Sequence, residues 1–112
     1  MCHVGWLHPQ VINVAAERAR VFDLEVEVHN LAEGVVGEDL LGAVIAYPGT
    51  EGDIIDPRPI IEAVHERGGL VAVDADILAL TLLEAPGKFG ADIAIGTTQR
   101  LGVPLFLSLI HI

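Results

Sequence analysis

The sequence predicts an α/β fold in which a largely parallel sheet is flanked by helices. Residues 43–47 and 70–73 are uninterrupted apolar runs, which are typical of parallel strands buried on both faces. A helical pattern separates the two runs, a second follows residue 76, and another strand pattern occupies residues 92–95. Strands that alternate with helices through short connections favour right-handed crossovers and hence parallel pairing.

The first predicted element is an amphipathic helix over residues 10–22. Pro9 suits the first helical position, where a missing N–H costs nothing, and Asp23 ends the pattern. Residues 24–28 then alternate apolar and acidic side chains, which predicts a strand near the sheet edge with one face in solvent. Residues 1–7 carry no pattern that assigns them. The helix presents an inward stripe formed by Val11, Ile12, Ala15, Ala16, Ala19 and Phe22.

The second helix is predicted over residues 57–67. Asp56 is the expected N-cap and Pro57 the first helical residue, because an acidic side chain accepts the free backbone N–H groups there. Gly68 and Gly69 supply the left-handed conformation that ends many helices. The inward face of this helix is formed by Ile60, Ile61, Ala63 and Val64.

Composition bounds the functions that this chain can perform. Its 112 residues suit one domain or a piece of one, and the net charge is −10 with the six Lys and Arg residues scattered singly. Without a basic patch, nucleic acid and anionic membrane surfaces are excluded as expected partners. The apolar content of 52% is high for so short a chain, and the mean hydropathy is +0.54. These values predict faces that meet something outside this chain.

The sequence shows no sign of export, a membrane span or a metal site. Gly, Pro or a charge interrupts each apolar run before the ~18 residues that a membrane helix needs. A single cysteine, Cys2, cannot form an internal disulfide, and no Cys or His cluster has metal spacing. Residues 1–7 lack the features of a signal peptide. We therefore expect a cytoplasmic protein.

Candidate binding residues follow the predicted strands. The carboxyl ends of parallel strands form the rim of a crevice, and Asp74 and Asp76 lie just after the run 70–73. Gly96, Thr97 and Thr98 follow the next strand, where amides and hydroxyls can contact an anion such as phosphate. A plain strand-to-loop turn is the favoured interpretation of that triplet, since three residues are a weak signal.

Six ordered motifs lie between residues 8 and 106. They are H-P-Q at 8–10, Y-P-G-T-E-G at 47–52, A-V-H-E-R-G at 63–68, D-I-L-A-L-T-L-L at 76–83, P-G-K-F-G-A-D-I-A at 86–94 and Q-R-L-G-V-P at 99–104. Together they resemble the P-protein of the glycine cleavage system. That family is the decarboxylating glycine dehydrogenase, which is a pyridoxal-phosphate enzyme of the aspartate aminotransferase fold. The resemblance implies that residues 8–106 are part of the large domain of the amino-terminal half.

The resemblance also implies a function and a missing catalytic residue. The family decarboxylates glycine with pyridoxal phosphate and transfers the aminomethyl group to the lipoyl arm of the H-protein. Its catalytic half carries a Schiff-base lysine at a position that corresponds here to Gln99 and Arg100. Arginine stays protonated and cannot attack an aldehyde. We therefore expect a non-catalytic half, which binds no cofactor alone and whose partners are the catalytic half and the H-protein.

The remaining candidates have structural interpretations that are favoured over functional ones. Lys88, the only lysine, lies in a Pro-Gly turn and is expected to be a solvated loop charge. Asp74 matches the carboxylate that pairs with the pyridine nitrogen in the catalytic half, and a remnant acid is the favoured interpretation. Asp76 is expected to cap a helix beginning at Ile77. His65 is expected on the surface, because no partner acid is placed for it.

Tyr47, at the end of a predicted strand, is expected to pack as a core aromatic rather than to line the crevice. The weak cofactor candidates are thus Asp74, Thr97 and Thr98, and no residue is expected to be catalytic or to bind metal.

Two alternatives and one peculiarity remain open. A free-standing α/β binding or interaction module that shares ancestry with the enzyme is the first alternative, and an active pyridoxal-phosphate enzyme is the second. Residues 107–112 replace the glycine-rich segment with which the family continues. That hexapeptide is encoded by a transposon-end sequence used in DNA library preparation. We expect it to be a sequencing artefact and exclude it from the fold.

Overall fold

A computed structural model describes residues 1–104, and the peculiar residues 107–112 lie outside the described part. The chain forms one parallel sheet of five strands in the order β2-β1-β3-β4-β5. The strands are β1 (Cys2–Gly5), β2 (Val26–Val28), β3 (Gly42–Tyr47), β4 (Leu70–Ala75) and β5 (Ile93–Ile95), and the helices are α1 (Pro9–Val21) and α2 (Arg58–Glu66). Four 3₁₀ turns complete the described elements: Leu31–Glu33, Ala79–Thr81, Pro86–Phe89 and Gln99–Leu101.

The predicted α/β class, parallel sheet and first helix are confirmed, and β2 lies at an edge as expected. The strand β1, which was not predicted from the sequence, lies inside the sheet between β2 and β3. This strand has only four residues and includes His3 and Gly5, so its own propensity is weak. β1 forms a strand because it pairs with β2 on one side and with β3 on the other. Both partners are distant in the sequence, so the residues of β1 alone do not predict it.

The helix expected from Ile77 is wrong in type. Only the 3₁₀ turn Ala79–Thr81 forms there, and Pro86 begins another such turn five residues later. Backbone hydrogen bonds of both the α-helical and the 3₁₀ type occur in this segment. The Leu80 N–H donates to the Asp76 carbonyl, four residues earlier, at 3.3 Å, and the Leu82 N–H donates to the Ala79 carbonyl, three residues earlier, at 3.0 Å. The nearby proline leaves no room for further helical turns.

The core lies between α2 and one face of the sheet. Ile61 and Val64 of α2 are fully buried against alternate residues of the two central strands, β3 and β4. The predicted inward face of α2 is thereby confirmed. The buried sheet residues of this cluster are Ala43, Ile45 and Tyr47 from β3 and Val71, Val73 and Ala75 from β4, with Leu31, Val35, Leu40 and Phe89 closing it from the connections.

The second face of the sheet is only partly covered. The strand β1 leads to β2 in one direction along the sheet and β3 leads to β4 in the other, so right-handed crossovers place α1 and α2 on opposite faces. The helix α1 contacts β2 at the edge, none of its residues is buried, and Phe22 after it is 75% exposed. Ile93 of β5 is 49% exposed.

The apolar runs predicted that β3 and β4 are buried on both faces of the sheet. For the described residues, this prediction is wrong. The intermediate positions of β3 and β4 stay half-buried, because α1 packs at the sheet edge rather than over its centre. The predicted inward stripe of α1 is likewise not buried. We call this incompletely covered surface the open face; it comprises the outer side of α1 and the alternate residues Val44, Ala46, Ala72, Asp74, Ile93 and Ile95.

The ends of α2 follow the expected chemistry. The helix begins one residue later than predicted, but Asp56 Oδ1 accepts the backbone N–H of Arg58 at 3.1 Å, which is the expected capping contact. At the other end, Gly68 adopts a φ of +76° and its N–H donates to the His65 carbonyl at 2.9 Å. Among residues 1–104, no helix is both long and apolar enough to cross a bilayer.

Replacing Ile61 by alanine tests the α2 packing. Ile61 is 2% exposed, so Ile61→Ala should leave a cavity and lower the free energy of unfolding by about 2–5 kcal/mol. The matched control is Ile54→Ala, because Ile54 is 60% exposed and should cost under about 1 kcal/mol. Urea unfolding followed by circular dichroism measures both values. Equal losses in the two variants would contradict the one-sided core.

Candidate functional site

A cleft of about 300 Å³ lies at the carboxyl ends of the strands. The strand order reverses between β1 and β3, so the loops after these two strands diverge and leave a crevice. His8 follows β1 and Thr50 follows β3, and both line the cleft. The other polar residues in its wall are Asp74, Asp76, Thr97 and Arg100.

Asp74 lies near the end of the central strand β4. Its register partners are Ala46 on β3 and Ile95 on β5, so its side chain lies on the open face. As a residue, Asp74 is half-buried, and its carboxylate has no hydrogen bond or ion pair with any residue in 1–104. It is therefore an unpaired acid in the wall of the cleft.

Asp76 forms two contacts, of which one was predicted. Its Oδ1 accepts the backbone N–H of Leu78 at 3.0 Å, so the expected capping contact is present, although it precedes a 3₁₀ turn. Its Oδ2 lies 3.4 Å from Arg100 Nε. This ion pair was not predicted from the sequence, because the two residues are separated by a whole strand and its flanking loops. It connects the loop after β4 to the turn after β5.

The segment after β5 is divided between two cavities. Thr97 lines the cleft, whereas Thr98 lines an adjoining cavity of about 190 Å³ that is mostly apolar. The two cavities share Ala75 and Thr97 in their walls. Gln99 opens the last 3₁₀ turn and does not line the cleft. The structure thus brings Asp74, Thr97 and Arg100 together and leaves Thr98 and Gln99 outside the cleft.

The role of Gly96 is structural. A Cβ at this position would lie 2.6 Å from the carbonyl oxygen of Ala75, so any larger residue would collide with the end of β4. The close approach that the glycine permits is therefore between two strands. This agrees with the strand-to-loop interpretation favoured for residues 96–98.

The cleft does not fit covalent attachment of an aldehyde cofactor. Lys88 lies exposed in the turn Pro86–Phe89 and is absent from the cleft wall, as the sequence predicted. Arg100 contributes the cationic group of the cleft, and a guanidinium has no lone pair that can attack a carbonyl. Among residues 1–104, no group of His, Cys, Asp or Glu side chains is arranged to hold a metal ion.

Two cleft residues escaped the sequence analysis. His8 and Thr50 were noted only as members of the motifs at 8–10 and 47–52. The Thr50 hydroxyl donates to the Trp6 carbonyl at 2.7 Å and its N–H donates to the same oxygen at 2.9 Å, which ties the loops after β1 and β3 together. Recognition of β1 as a strand would have placed both residues at the crevice.

Tyr47 packs away from this cleft, as expected for a core aromatic. Its ring meets Phe89 edge-on at a centroid distance of 5.4 Å. Burial raises the pKa of the Tyr47 hydroxyl, and the nearby Arg58 guanidinium partly opposes that rise. Arg58 forms ion pairs with Asp56 and Glu84 and lies 5.8 Å from the centroid of Phe89. These contacts connect α2 to the turn before β5.

His65 has an acidic partner, contrary to expectation. Its Nε2 lies 2.8 Å from Asp92 Oδ2, and the same oxygen accepts the backbone N–H of Val71 at 2.8 Å. Sequence reasoning could not place Asp92, because only the pairing of β5 beside β4 brings it under α2. Both residues lie at the amino ends of the strands, opposite the cleft. They therefore cross-link α2 to the sheet, and His65 is no general base for the cleft.

The His65–Asp92 pair predicts an acid-sensitive contribution to stability. The hydrogen bond from His65, followed by that from the Val71 N–H, lowers the pKa of Asp92. A carboxyl whose pKa is lower in the folded state stabilises the fold above its unfolded pKa, about 4, and loses this contribution as the pH falls through the lowered value. Asp92→Asn should therefore reduce the loss of unfolding free energy between about pH 5 and pH 3.

The matched control for that experiment is Glu62→Gln, because Glu62 lies exposed on α2 and forms no ion pair within residues 1–104. Urea unfolding at several pH values gives the slopes. If Asp92→Asn and Glu62→Gln show the same pH dependence as the parent chain, the carboxylate is not held as the geometry indicates.

Comparisons with known proteins agree with this architecture. The family model described as "Glycine cleavage system P-protein" matches residues 4–108. The glycine dehydrogenase (decarboxylating) of Rhodopseudomonas palustris strain CGA009 is 48% identical over 98 residues, which are 88% of this chain and 10% of the relative. The enzyme of the same name from Photobacterium profundum is 48% identical over 99 residues, with the same shares. The chain spans about a tenth of these curated relatives.

The solved structures that share the fold include a P-protein and a lyase. A crystal structure of glycine decarboxylase (P-protein) of the glycine cleavage system, in inhibitor-bound form, superposes with a TM-score of 0.84 at 33% identity, over 93% of this chain and 25% of that one. The methionine gamma lyase CalE6 from Micromonospora echinospora superposes with a TM-score of 0.69 at 24% identity, over 88% of this chain and 28% of that one.

The parallel sheet and its carboxyl-end cleft define part of an α/β domain of the kind found in pyridoxal-phosphate enzymes. Within that class, the chain belongs to the glycine cleavage system P-protein family, because the family model covers nearly all of it. The predicted family resemblance and fold class are thereby confirmed.

Proposed function

We propose that this chain forms part of the non-catalytic, amino-terminal half of a decarboxylating glycine dehydrogenase. The observation that carries the proposal is the cleft itself: the turn after β5 presents Arg100, and no lysine of residues 1–104 reaches it. An imine cannot form on a guanidinium. The whole enzyme decarboxylates glycine, as its family does. Residues 8–106 form part of the large domain of its amino-terminal half.

In this proposal, the reaction takes place in the other, catalytic half of the enzyme. Loss of carbon dioxide from glycine leaves electron density that pyridoxal phosphate can accept, and the catalytic half holds this cofactor. The aminomethyl group then passes to the lipoyl arm of the H-protein. The names of the relatives and of the solved P-protein support the decarboxylation of glycine as the reaction of the whole enzyme. We place the enzyme in the bacterial cytoplasm, since the relatives named here are bacterial.

The open face supports a scaffold role for this chain. Phe22 is 75% exposed after α1, and the edge strand β5 exposes Ile93 and Ile95 on its open-face side. Large apolar side chains that are exposed to this degree are costly in water, and they are typical of an interface where they cluster. We propose that the remainder of the enzyme covers it, so that this slice forms a wall of the interface between the two halves.

A stand-alone binding module is the second candidate. The closed cluster between α2 and the sheet favours it, because a chain with such a core can be partly stable alone. The exposed edge of β5 favours the first candidate, since an uncovered parallel strand invites association. A cooperative, monomeric thermal transition of residues 1–106 would support the module, and aggregation would support the scaffold.

Reduction of the intact enzyme with borohydride tests the non-catalytic assignment. The treatment fixes any imine, so that peptide mass spectrometry locates the cofactor. We expect no cofactor on any peptide of this chain, and Lys88→Ala should leave both labelling and kcat/KM unchanged. A reduced cofactor adduct on Lys88 would overturn the proposal. The control is the unreduced enzyme, in which digestion should release the cofactor.

A further inference from the structure

The connection between β2 and β3 contains a short segment that is held by side chains from distant elements. We call this segment, residues 34–37, the strap. The Val36 carbonyl accepts a hydrogen bond from His3 Nε2 at 2.6 Å. Arg67, directly after α2, donates to the carbonyls on either side of it, at 2.9 and 3.1 Å. Two side chains therefore hold three successive carbonyls of the strap.

Both ends of the strap are glycines in the left-handed region. Gly34 has a φ of +113° and Gly37 a φ of +95°, conformations that glycine adopts more readily than other residues. Between them, Val35 is buried in the core cluster and Val36 is 55% exposed. Rotation at the two glycines therefore moves both valines together and uncovers the edge of the core.

Two buried histidine nitrogens without partners lie beside the strap. His3 is 0% exposed and in register with the core residue Ala43, so it lies on the core face and not on the open face. Because Nε2 donates, the lone pair of the neutral ring is on Nδ1, which is buried and unpaired within residues 1–104. His29 Nε2 is likewise buried and unpaired, and the two ring centroids lie 5.5 Å apart.

No acid among the described residues balances a charge on either ring. The ion pairs within residues 1–104 involve neither His3 nor His29. β3 contributes only Ala43 beside His3. The charged side chains on the other surrounding elements are exposed: Glu25 and Glu27 at β2, Glu33 in the 3₁₀ turn, Glu38 and Asp39 after the strap, and Arg67 after α2.

We propose that the strap is an acid-released switch, closed while His3 and His29 are neutral and opened when they are protonated. A proton on His3 Nδ1 finds no acceptor in the described chain, and a buried unpaired charge is costly. A second proton on His29 adds a like charge to the neighbouring ring. Opening at the glycines gives both rings access to water. The switch is separate from the reaction and does not depend on the chain being the non-catalytic half.

The sign of the pH effect follows from where the protons bind. The closed strap excludes them, whereas a histidine in water takes up a proton below about pH 6.5. The open state therefore gains population as the pH falls, by about tenfold per pH unit for each histidine that is released. At about pH 5.5 this amounts to about tenfold for one ring and about a hundredfold for both. The acid-sensitive range of Asp92 lies below this pH.

Thiol labelling of the intact enzyme with Val35→Cys measures the opening. Cysteine is a small apolar residue, so it suits this buried position. The rate of labelling by a disulfide reagent, divided by the rate for the urea-unfolded protein at the same pH, reports the open fraction. We expect this ratio to rise at least about tenfold between about pH 8 and about pH 5.5. Equal ratios at the two pH values would overturn the proposal.

The matched control for the labelling site is Val36→Cys, on the exposed side of the strap. Its ratio should be the same at both pH values. A rise equal to that of Val35→Cys would report a general change of the surface, and the proposal would fail.

Variants of the two histidines assign the pH effect. In the Val35→Cys protein, His3→Gln keeps a neutral donor for the Val36 carbonyl but removes the titrating ring. His3→Gln and His29→Gln should each reduce the rise, and the double variant should abolish it. His8→Gln, which removes an exposed histidine before α1, should leave the rise unchanged. A rise that persists in full in the double variant would overturn the assignment, and so would its absence from the His8→Gln protein.

Discussion

The packing of α2 against the two central strands is the constraint on which the rest of this structure depends. Ile61 and Val64 bury one side of β3 and β4 and thereby fix the face that each alternate residue occupies. A strand's side chains alternate in direction, so burial of Val73 requires Asp74 to lie on the other face. The hydrophobic core therefore determines where the cleft acid lies, although no core residue contacts it.

The same one-sided packing explains why one face of the sheet forms the core while the other exposes both apolar and charged side chains. The core cluster takes its members from one face of the sheet, while the open face retains half-buried alanine and valine residues beside an unpaired carboxylate. The high apolar content predicted surfaces that meet something outside the chain, and the open face is where such surfaces occur. Family membership agrees with this interpretation of the open face. The chain spans about a tenth of the length of its curated relatives, so further protein is available to cover that face.

Local sequence patterns predicted those parts of the fold that local physics determines. The start of α1 at Pro9 and the end of α2 before Gly68 were both predicted. Proline and glycine each have a backbone preference that does not depend on distant residues. β1 was missed because its pairing, not its composition, makes it a strand. The one-sided burial was also missed, since an apolar run does not show how many helices are available to cover it.

The candidate site was predictable in its position but not in its contacts. The rule that ligands meet the carboxyl ends of parallel strands selected Asp74 and Thr97, and the comparison of motifs selected Arg100. The Asp76–Arg100 pair, the His65–Asp92 pair and the cleft residues His8 and Thr50 depend on contacts between distant segments. No spacing rule predicts such contacts from a single sequence.

Hydrogen exchange tests the one-sided core most directly. Amide exchange is measured for residues 1–106 alone and for the same residues within the intact enzyme. We expect amides of β3, β4 and α2 to be protected in both samples, whereas amides of α1 and β5 gain protection only in the intact enzyme. Protection of α1 and β5 in the isolated chain equal to that in the enzyme would contradict an open face covered by the rest of the protein.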